Sequence, residues 1–212
     1  MSTVVAIDGP AGAGKSTVAR RLAERLGYAY INTGSLYRAL AYMANASGIP
    51  LSAVDADFLH SCKLEFRGAE LYCNGRHLDA ELRTPECAHG ASVISADPRV
   101  RDFLMPVQRQ AASHQWIVME GRDIGTVVFP DAETKFFVTA SPEERARRRL
   151  AQSGEAGAGA TLESILADIR VRDERDMNRA TAPLKRAADA VLVDTTGMTV
   201  DEVVEHIAAL CR

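Results

Sequence analysis

Apolar residues follow two patterns along this chain: short continuous runs, and longer stretches in which they recur every three to four positions. The first run, Thr3-Val4-Val5-Ala6-Ile7, is β-branched and apolar, which suits a strand buried on both faces. Beyond a glycine-rich gap, Val18, Leu22 and Leu26 recur every four residues, with Arg20, Arg21, Glu24 and Arg25 between them. That spacing predicts an amphipathic helix, with Gly27 as its stop. Ala29-Tyr30-Ile31 is a second short strand, and Asn32-Thr33-Gly34 a turn in which Thr33 or Ser35 caps a helix over 35–45. Ser52 is the expected cap of a short helix within 48–61.

The pattern then changes. Residues 62–67, 70–73 and 76–78 alternate, and Asn74-Gly75 between the last two is a strong hairpin signal. A small antiparallel meander is predicted there, inserted into an otherwise α/β chain. Helical spacing resumes over 85–95 and 98–114. Strands follow at 115–119 and 135–138, helices at 142–152 and 162–177, a last strand at 190–193 and a last helix at 200–210. Residues 153–160 are a low-complexity Gly/Ala/Ser connection, read as flexible. Strands alternating with helices imply a doubly wound, mostly parallel sheet with right-handed crossovers.

The gap after the first strand carries chemistry. It reads Gly9-Pro10-Ala11-Gly12-Ala13-Gly14-Lys15-Ser16-Thr17, a full G-x-x-x-x-G-K-[ST] match. A loop that wraps a triphosphate must bring several backbone N–H groups to one point, and glycine permits the angles and the close approach. Lys15 supplies a cation for the β- and γ-phosphates, and the Ser16 hydroxyl is the expected Mg²⁺ ligand. Strand before and helix after are both in place, so the helix N-terminus faces the phosphates.

Glu120 and Asp123 close the strand at 115–119, at the sheet edge where such folds bind ligands. They read either as metal neighbours or as a helix-capping pair around Gly121, with Arg122 between them placed to grip a phosphate. Asp8 either assists the metal through water or bonds the loop backbone, and the second role is preferred. Trp116, flanked by apolar residues, reads as core. Arg145, Arg147, Arg148 and Arg149 share one helix, and Arg170, Arg172, Arg175 and Arg179 follow beyond the flexible connection. Such an arginine-rich pair of helices is what a closing lid needs, although single members also read as solvated partners of Glu143, Glu144, Asp173 and Glu174.

Composition narrows the class. The 212 residues carry 47% hydrophobic and 25% charged residues, enough for one domain with a core. The net charge of −3 argues against a general nucleic-acid binder. Four of the 25 basic residues are lysines and the rest arginines, the better bidentate phosphate ligand. Cys62, Cys73, Cys87 and Cys211 show no metal spacing and read as reduced thiols of a cytoplasmic protein. No apolar run spans a membrane, and no leader is expected before the first strand. Nothing suggests an obligate interface, so a monomer is expected.

Several segments together resemble the bacterial cytidylate kinases of the nucleoside monophosphate kinase family. They are Ile7-Asp8-Gly9-Pro10 with the phosphate loop, Thr33-Gly34-Ser35-Leu36-Tyr37-Arg38, and Leu82-Arg83-Thr84-Pro85-Glu86. Ala91-Ser92 through Arg101 follows, and then Gly121-Arg122-Asp123-Ile124-Gly125-Thr126-Val127-Val128-Phe129-Pro130. The last runs from Arg172-Asp173-Glu174-Arg175-Asp176 to Met177-Asn178-Arg179-Ala180. The resemblance spans essentially the whole chain. It implies transfer of the γ-phosphate of ATP to CMP or dCMP, and it makes Asp123 a base reader, which weakens its reading as a metal neighbour; Ser16 stays the expected Mg²⁺ ligand, with Asp8 or Glu120 through water. It implies Thr33, Tyr37, Arg38, Ser92, Arg101, Arg122, Asp123, Arg172, Asp176 and Arg179 as acceptor-binding residues. Among these Ser92, Arg101 and Asp123 read the cytosine and its sugar, and Arg172 and Asp176 contact the sugar. Lys15, Arg122, Arg148 and Arg179 are the implied catalytic cations. Thr33 stands where a serine often occurs, Glu120 where an aspartate does, and the meander looks short.

The implied organisation is one P-loop kinase domain. Its core is 1–31, 115–141 and 180–212; the acceptor-binding region is 32–114, with the β insert at about 62–80; the lid is about 142–170. Other readings are a P-loop kinase of another small acceptor, such as UMP or a shikimate-like compound, and a nucleotide-dependent switch. The common GTP switch carries an N-K-x-D motif, which this chain lacks.

Overall fold

The computed structural model describes residues 4–113, 115–151 and 159–211. Five strands form one parallel sheet: β1 (Val4–Asp8), β2 (Ala29–Asn32), β6 (Ile117–Gly121), β7 (Thr134–Thr139) and β8 (Val191–Asp194), in the order β2-β6-β1-β7-β8. The intervening β3 (Leu64–Arg67), β4 (Glu70–Cys73) and β5 (Arg76–His77) make a separate antiparallel sheet, the expected meander. Asn74 and Gly75 both take positive φ, 52° and 78°, as a two-residue turn of this handedness requires. The fold class read from the chain, a doubly wound sheet with a small antiparallel insert, is the one present.

Each strand of the large sheet is short, and β1 is buried at all five positions because helices cover both faces. Its order reverses direction at β1, whose neighbours are β6 and β7, so the crevice beyond the carboxyl end of β1 is the natural ligand site. Helix α1 (Lys15–Leu26) and helix α8 (Val200–Leu210) cover one face, with Ile7, Leu22, Phe136 and Ile207 packed between. On the other face Ala6, Ile31, Met119 and Ile124 form a second cluster.

The segment between β2 and β6 has its own core. Helices α2 (Thr33–Ala46), α4 (Pro85–Ile94) and α5 (Pro98–Gln110) pack Leu36, Leu40, Ile94 and Leu104 against the insert residues Leu64, Leu71 and Cys73. The meander is therefore a wall of this core. Helices α6 (Pro142–Ala151) and α7 (Leu162–Asn178) pair through Ala146, Ile165 and Ile169. Most of the low-complexity connection lies outside the described residues.

Some local expectations fail. Helix α2 begins at Thr33 with Asn32 as its cap position, and neither Thr33 nor Ser35 caps it. Thr33 Oγ1 instead donates to the Glu120 carbonyl at 2.8 Å, and Ser35 Oγ to the Asn32 carbonyl at 2.6 Å. Helix α3 (Ala56–Ser61) is capped by Asp55, which accepts from the Phe58 amide at 2.9 Å; Ser52 lies in a preceding 3₁₀ turn. Trp116 is 45% exposed, its ring tilted against Tyr28 at the sheet margin, because β6 starts one residue later at Ile117. No helix among the described residues is long and apolar enough to cross a membrane.

Candidate active site

The phosphate loop joins β1 to α1 in the crevice. Gly9 takes a φ of 148°, and a Cβ there would lie 1.9 Å from the Val138 carbonyl oxygen on β7, so no larger residue fits without moving a strand. Gly14, at φ 85°, turns the chain into α1 and leaves the helix N-terminus open to an anion. Lys15 is buried, and its Nζ donates to the Pro10 carbonyl across the loop at 2.7 Å. Ser16 and Thr17 are exposed at the start of α1. Burial, followed by the Arg122 guanidinium, lowers the Lys15 ammonium from 10.5 to about 7.

Around this loop positive charge is packed more closely than its counterions. Arg122 Nε bonds Asp176 at 3.0 Å. Arg172, one turn before Asp176 on α7, has a buried Nε with no hydrogen-bond partner. Burial and then Arg122 lower Arg172 to about 10, with Arg38 and Arg149 adding to the repulsion. Burial pushes the Asp176 carboxyl up, but Arg122 and Arg172 outweigh it and hold the group below its ordinary range. Cations that depress one another, one with an orphaned donor, favour the entry of an anion. Arg38 Nη1 donates to the Leu82 carbonyl at 3.2 Å.

A second constellation lies beside the first. Arg101 pairs with Asp123 Oδ2, and Arg179 Nη2 lies 3.5 Å from Asp123 Oδ1; all three side chains are under 10% exposed. Arg101 also donates to the Ser95 carbonyl at 3.3 Å and lies over the Tyr37 ring at 5.7 Å. Ser92 is buried next to this set on α4. Burial raises Tyr37 to about 12, so it is a neutral wall. Thus Tyr37, Arg101, Asp123 and Arg179 adjoin one another, and Arg122, Arg172 and Asp176 form a charged set that acts on Lys15.

The metal expectation divides. Ser16 lies exposed at the first turn of α1, within reach of an entering ligand. Glu120 is buried at the end of β6, accepts from the Tyr30 hydroxyl, and raises the charge preference of Lys15. Asp8 does not fit: its two oxygens accept from the Ile124 and Gly125 amides, each at 2.8 Å. Asp8 therefore secures the wide turn Ile124–Val128 after β6, and not the phosphate loop. Burial raises its carboxyl to about 6. No group of three His, Cys, Asp or Glu gathers to hold a metal among the described residues. Nor is Asp123 a side-chain cap; its carboxylate is taken by the two arginines.

The lid arginines split by environment. Arg145 is buried and donates to the Ala11 carbonyl of the loop at 3.0 Å, to the Ala140 carbonyl at 3.0 Å, and to Asp173 at 2.7 Å. Arg148 reaches the Thr195 hydroxyl at 2.8 Å, the Thr195 carbonyl at 2.7 Å and Glu144 at 3.0 Å. Arg147 and Arg170 are exposed partners of Glu144 and Glu143.

The sequence profile described as "Cytidylate kinase" matches residues 5–212. The chain belongs to the cytidylate kinase family. A cytidylate kinase of Fervidobacterium nodosum is 45% identical, across 100% of this chain and 97% of that protein. One of Symbiobacterium thermophilum is 47% identical, across 99% and 96%. Among solved structures, a shikimate kinase from Bacteroides thetaiotaomicron superposes with a TM-score of 0.50 at 12% identity, across 98% of this chain and 97% of that one. That likeness concerns the fold alone. The resemblance read from the motifs thus holds, and so does the enzyme class, a phosphotransferase of the nucleoside monophosphate kinase type.

Three side-chain contacts of this family member escape a reading of its sequence. Tyr30 binds Glu120 because parallel pairing sets Asn32 opposite Glu120, which brings position 30 onto the same face. Arg145 clamps the loop from the lid helix, and Arg175 reaches Ser92. Each depends on a contact between distant segments, and the arginine runs gave no means of ranking their members.

Proposed function

We propose that this chain transfers the γ-phosphoryl group of Mg-ATP to CMP and dCMP, giving ADP and CDP or dCDP. The observation that carries the reading is the adjacency of two sites. A carboxylate held between Arg101 and Arg179, beside Ser92, adjoins the excess of cations formed by Lys15, Arg38, Arg122 and Arg172. Cytosine offers an N4–H₂ donor to a carboxylate and N3 and O2 acceptors to arginine and hydroxyl groups. The phosphates would then meet in the cationic zone. An acceptor phosphate oxygen attacks the γ-phosphorus in line, the bond from that phosphorus to the β-bridging oxygen breaks, and ADP leaves.

No protein nucleophile or general base is required, since the attacking oxygen is ionised at neutral pH. Lys15 and Arg122 neutralise charge on the transferred group, Arg179 and Arg38 hold the acceptor, and Arg172 with Asp176 takes its sugar. Arg148 completes the charge once α6 moves it from Thr195. Residues 142–170 act as a lid that excludes water. Ser16, with Glu120 through water, would hold Mg²⁺, which supplies neutralisation of the β- and γ-phosphates. The protein is read as monomeric and cytoplasmic.

ADP production from Mg-ATP with CMP, dCMP, UMP, AMP or shikimate tests the reading. Fast turnover confined to CMP and dCMP is expected; turnover with shikimate or AMP instead would overturn it.

A further expectation follows from Lys15. In the free protein its ammonium lies near neutrality, and bound phosphates favour the charged form. ATP binding at pH 8 should therefore take up about one proton, and at pH 6 almost none. Calorimetric titration in two buffers of different ionisation enthalpy measures this directly. Uptake that is equal at both pH values would rule Lys15 out as the source.

A further inference from the structure

Arg175 belongs to neither of the groups assigned above. It lies half-buried near the end of α7, three residues after Arg172 and four before Arg179. Its Nη1 donates to Ser92 Oγ at 3.0 Å, across 83 residues of sequence. The second lid helix is thereby joined to the helix that carries a base-reading hydroxyl.

The chemistry of that bond has a direction. Arginine has only donors, so in this pair Ser92 Oγ must be the acceptor. The hydroxyl keeps its own proton, and no described residue accepts it: the other bonds around Ser92 use its carbonyl, which takes the Ser95 hydroxyl at 3.1 Å. A serine in a helix otherwise tends to turn its proton back onto the carbonyl one turn earlier. Arg175 thus holds the rotamer of Ser92 and occupies one of the two acceptor lone pairs of its Oγ, while the proton stays available for donation. The neighbouring groups are also fixed, with Arg101 on the Ser95 carbonyl and on Asp123.

We infer that Arg175 is a positioning residue for base selection, which holds Ser92 Oγ so that its proton is presented to the ring N3 of the acceptor. N3 is a lone pair in cytosine and an N–H in uracil. A hydroxyl whose proton is free and whose oxygen already serves Arg175 donates readily to the first base, whereas the N–H of the second must compete with Arg175 for that oxygen. The inference rests on the reading of Ser92 as a reader of the acceptor base. It also makes the seating of α7 a condition of correct base recognition, because the helix that carries Arg172 and Asp176 delivers Arg175 as well.

The test is a double-mutant cycle in the full chain, with kcat and KM measured for CMP, UMP and Mg-ATP. Arg175→Met keeps the apolar stem and removes the donors; Arg175→Lys keeps one donor. Arg175→Met should raise the CMP KM and lower the preference for CMP over UMP about tenfold, with the ATP KM within about twofold of wild type. Ser92→Ala should produce a similar loss of preference, and adding Arg175→Met to it should cost nothing more. Arg175→Lys should recover most of the preference. Losses that add fully in the double variant, or an unchanged CMP-to-UMP ratio in Arg175→Met, would overturn the inference. Should the wild-type protein reject CMP altogether, the functional reading falls and takes the inference with it. Additive variants of a CMP-selective enzyme overturn the inference alone.

Discussion

Lys15→Ala is expected to reduce kcat by about 10²–10³-fold, or roughly 3–4 kcal/mol of transition-state stabilisation. The lysine is buried beneath the loop, and its free charge is already opposed by burial and by Arg122. Little of its cationic character serves the empty fold. What it serves is an anion, and most of all the charge that spreads over a phosphoryl group in flight. The same variant should unfold within a few degrees of wild type. Only the bond to the Pro10 carbonyl is lost, and an uncomfortable buried charge is lost with it. Thermal unfolding and steady-state kinetics on one preparation separate the two effects. A protein that no longer folds would show Lys15 to be part of the scaffold.

Asp123→Ala should be costly in both respects. Asp123 stands between Arg101 and Arg179, and removing it leaves two guanidinium groups buried without their counterion. Breaking a buried pair from one side costs about 3–5 kcal/mol. Burial, then the neighbouring Arg101, already lowers Arg179, so its charge has little to spare. Urea unfolding should show the loss as a lower midpoint. If Asp123 also accepts from the cytosine amino group, the CMP KM of the folded fraction should rise by about 10²-fold or more while the ATP KM stays near wild type. An unchanged CMP KM would confine Asp123 to stability.

Much of the fold was legible because it rests on local rules. Buried strands read as apolar runs, α1 as a four-residue repeat ending at Gly27, and the meander as alternation around Asn74-Gly75. The mistakes were of one kind. Ser52, Thr33 and Ser35 are all competent caps by type, yet Asp55 took one position and Thr33 was drawn to the Glu120 carbonyl of a neighbouring strand. A hydroxyl has several possible partners, and which one it meets depends on what the fold brings near. Trp116 failed for a related reason: apolar flanks do not reveal that a strand begins one residue later, at the margin of a sheet.

The site divides in the same way. Motif spacing located the phosphate loop, since Gly9 admits no side chain against Val138 and any chain using this loop must keep that pattern. Family resemblance supplied the expectation for the acceptor residues. Neither could say that Asp8 spends both oxygens on the Ile124 and Gly125 amides, which moves the metal question to Ser16 and Glu120. Nor could they sort the lid arginines into the buried Arg145, the half-buried Arg148 and the exposed Arg147 and Arg170. By itself the sequence determined where strands and helices run, where the glycine-rich loop between β1 and α1 lies, and to which family the chain belongs, because period, glycine placement and motif spacing act over a few residues. The tertiary structure alone decided which charges meet: Arg101 with Asp123, Arg122 with Asp176, Arg145 with the loop, Arg175 with Ser92. Those pairings join residues tens to more than a hundred positions apart, and their partners are chosen by packing and burial.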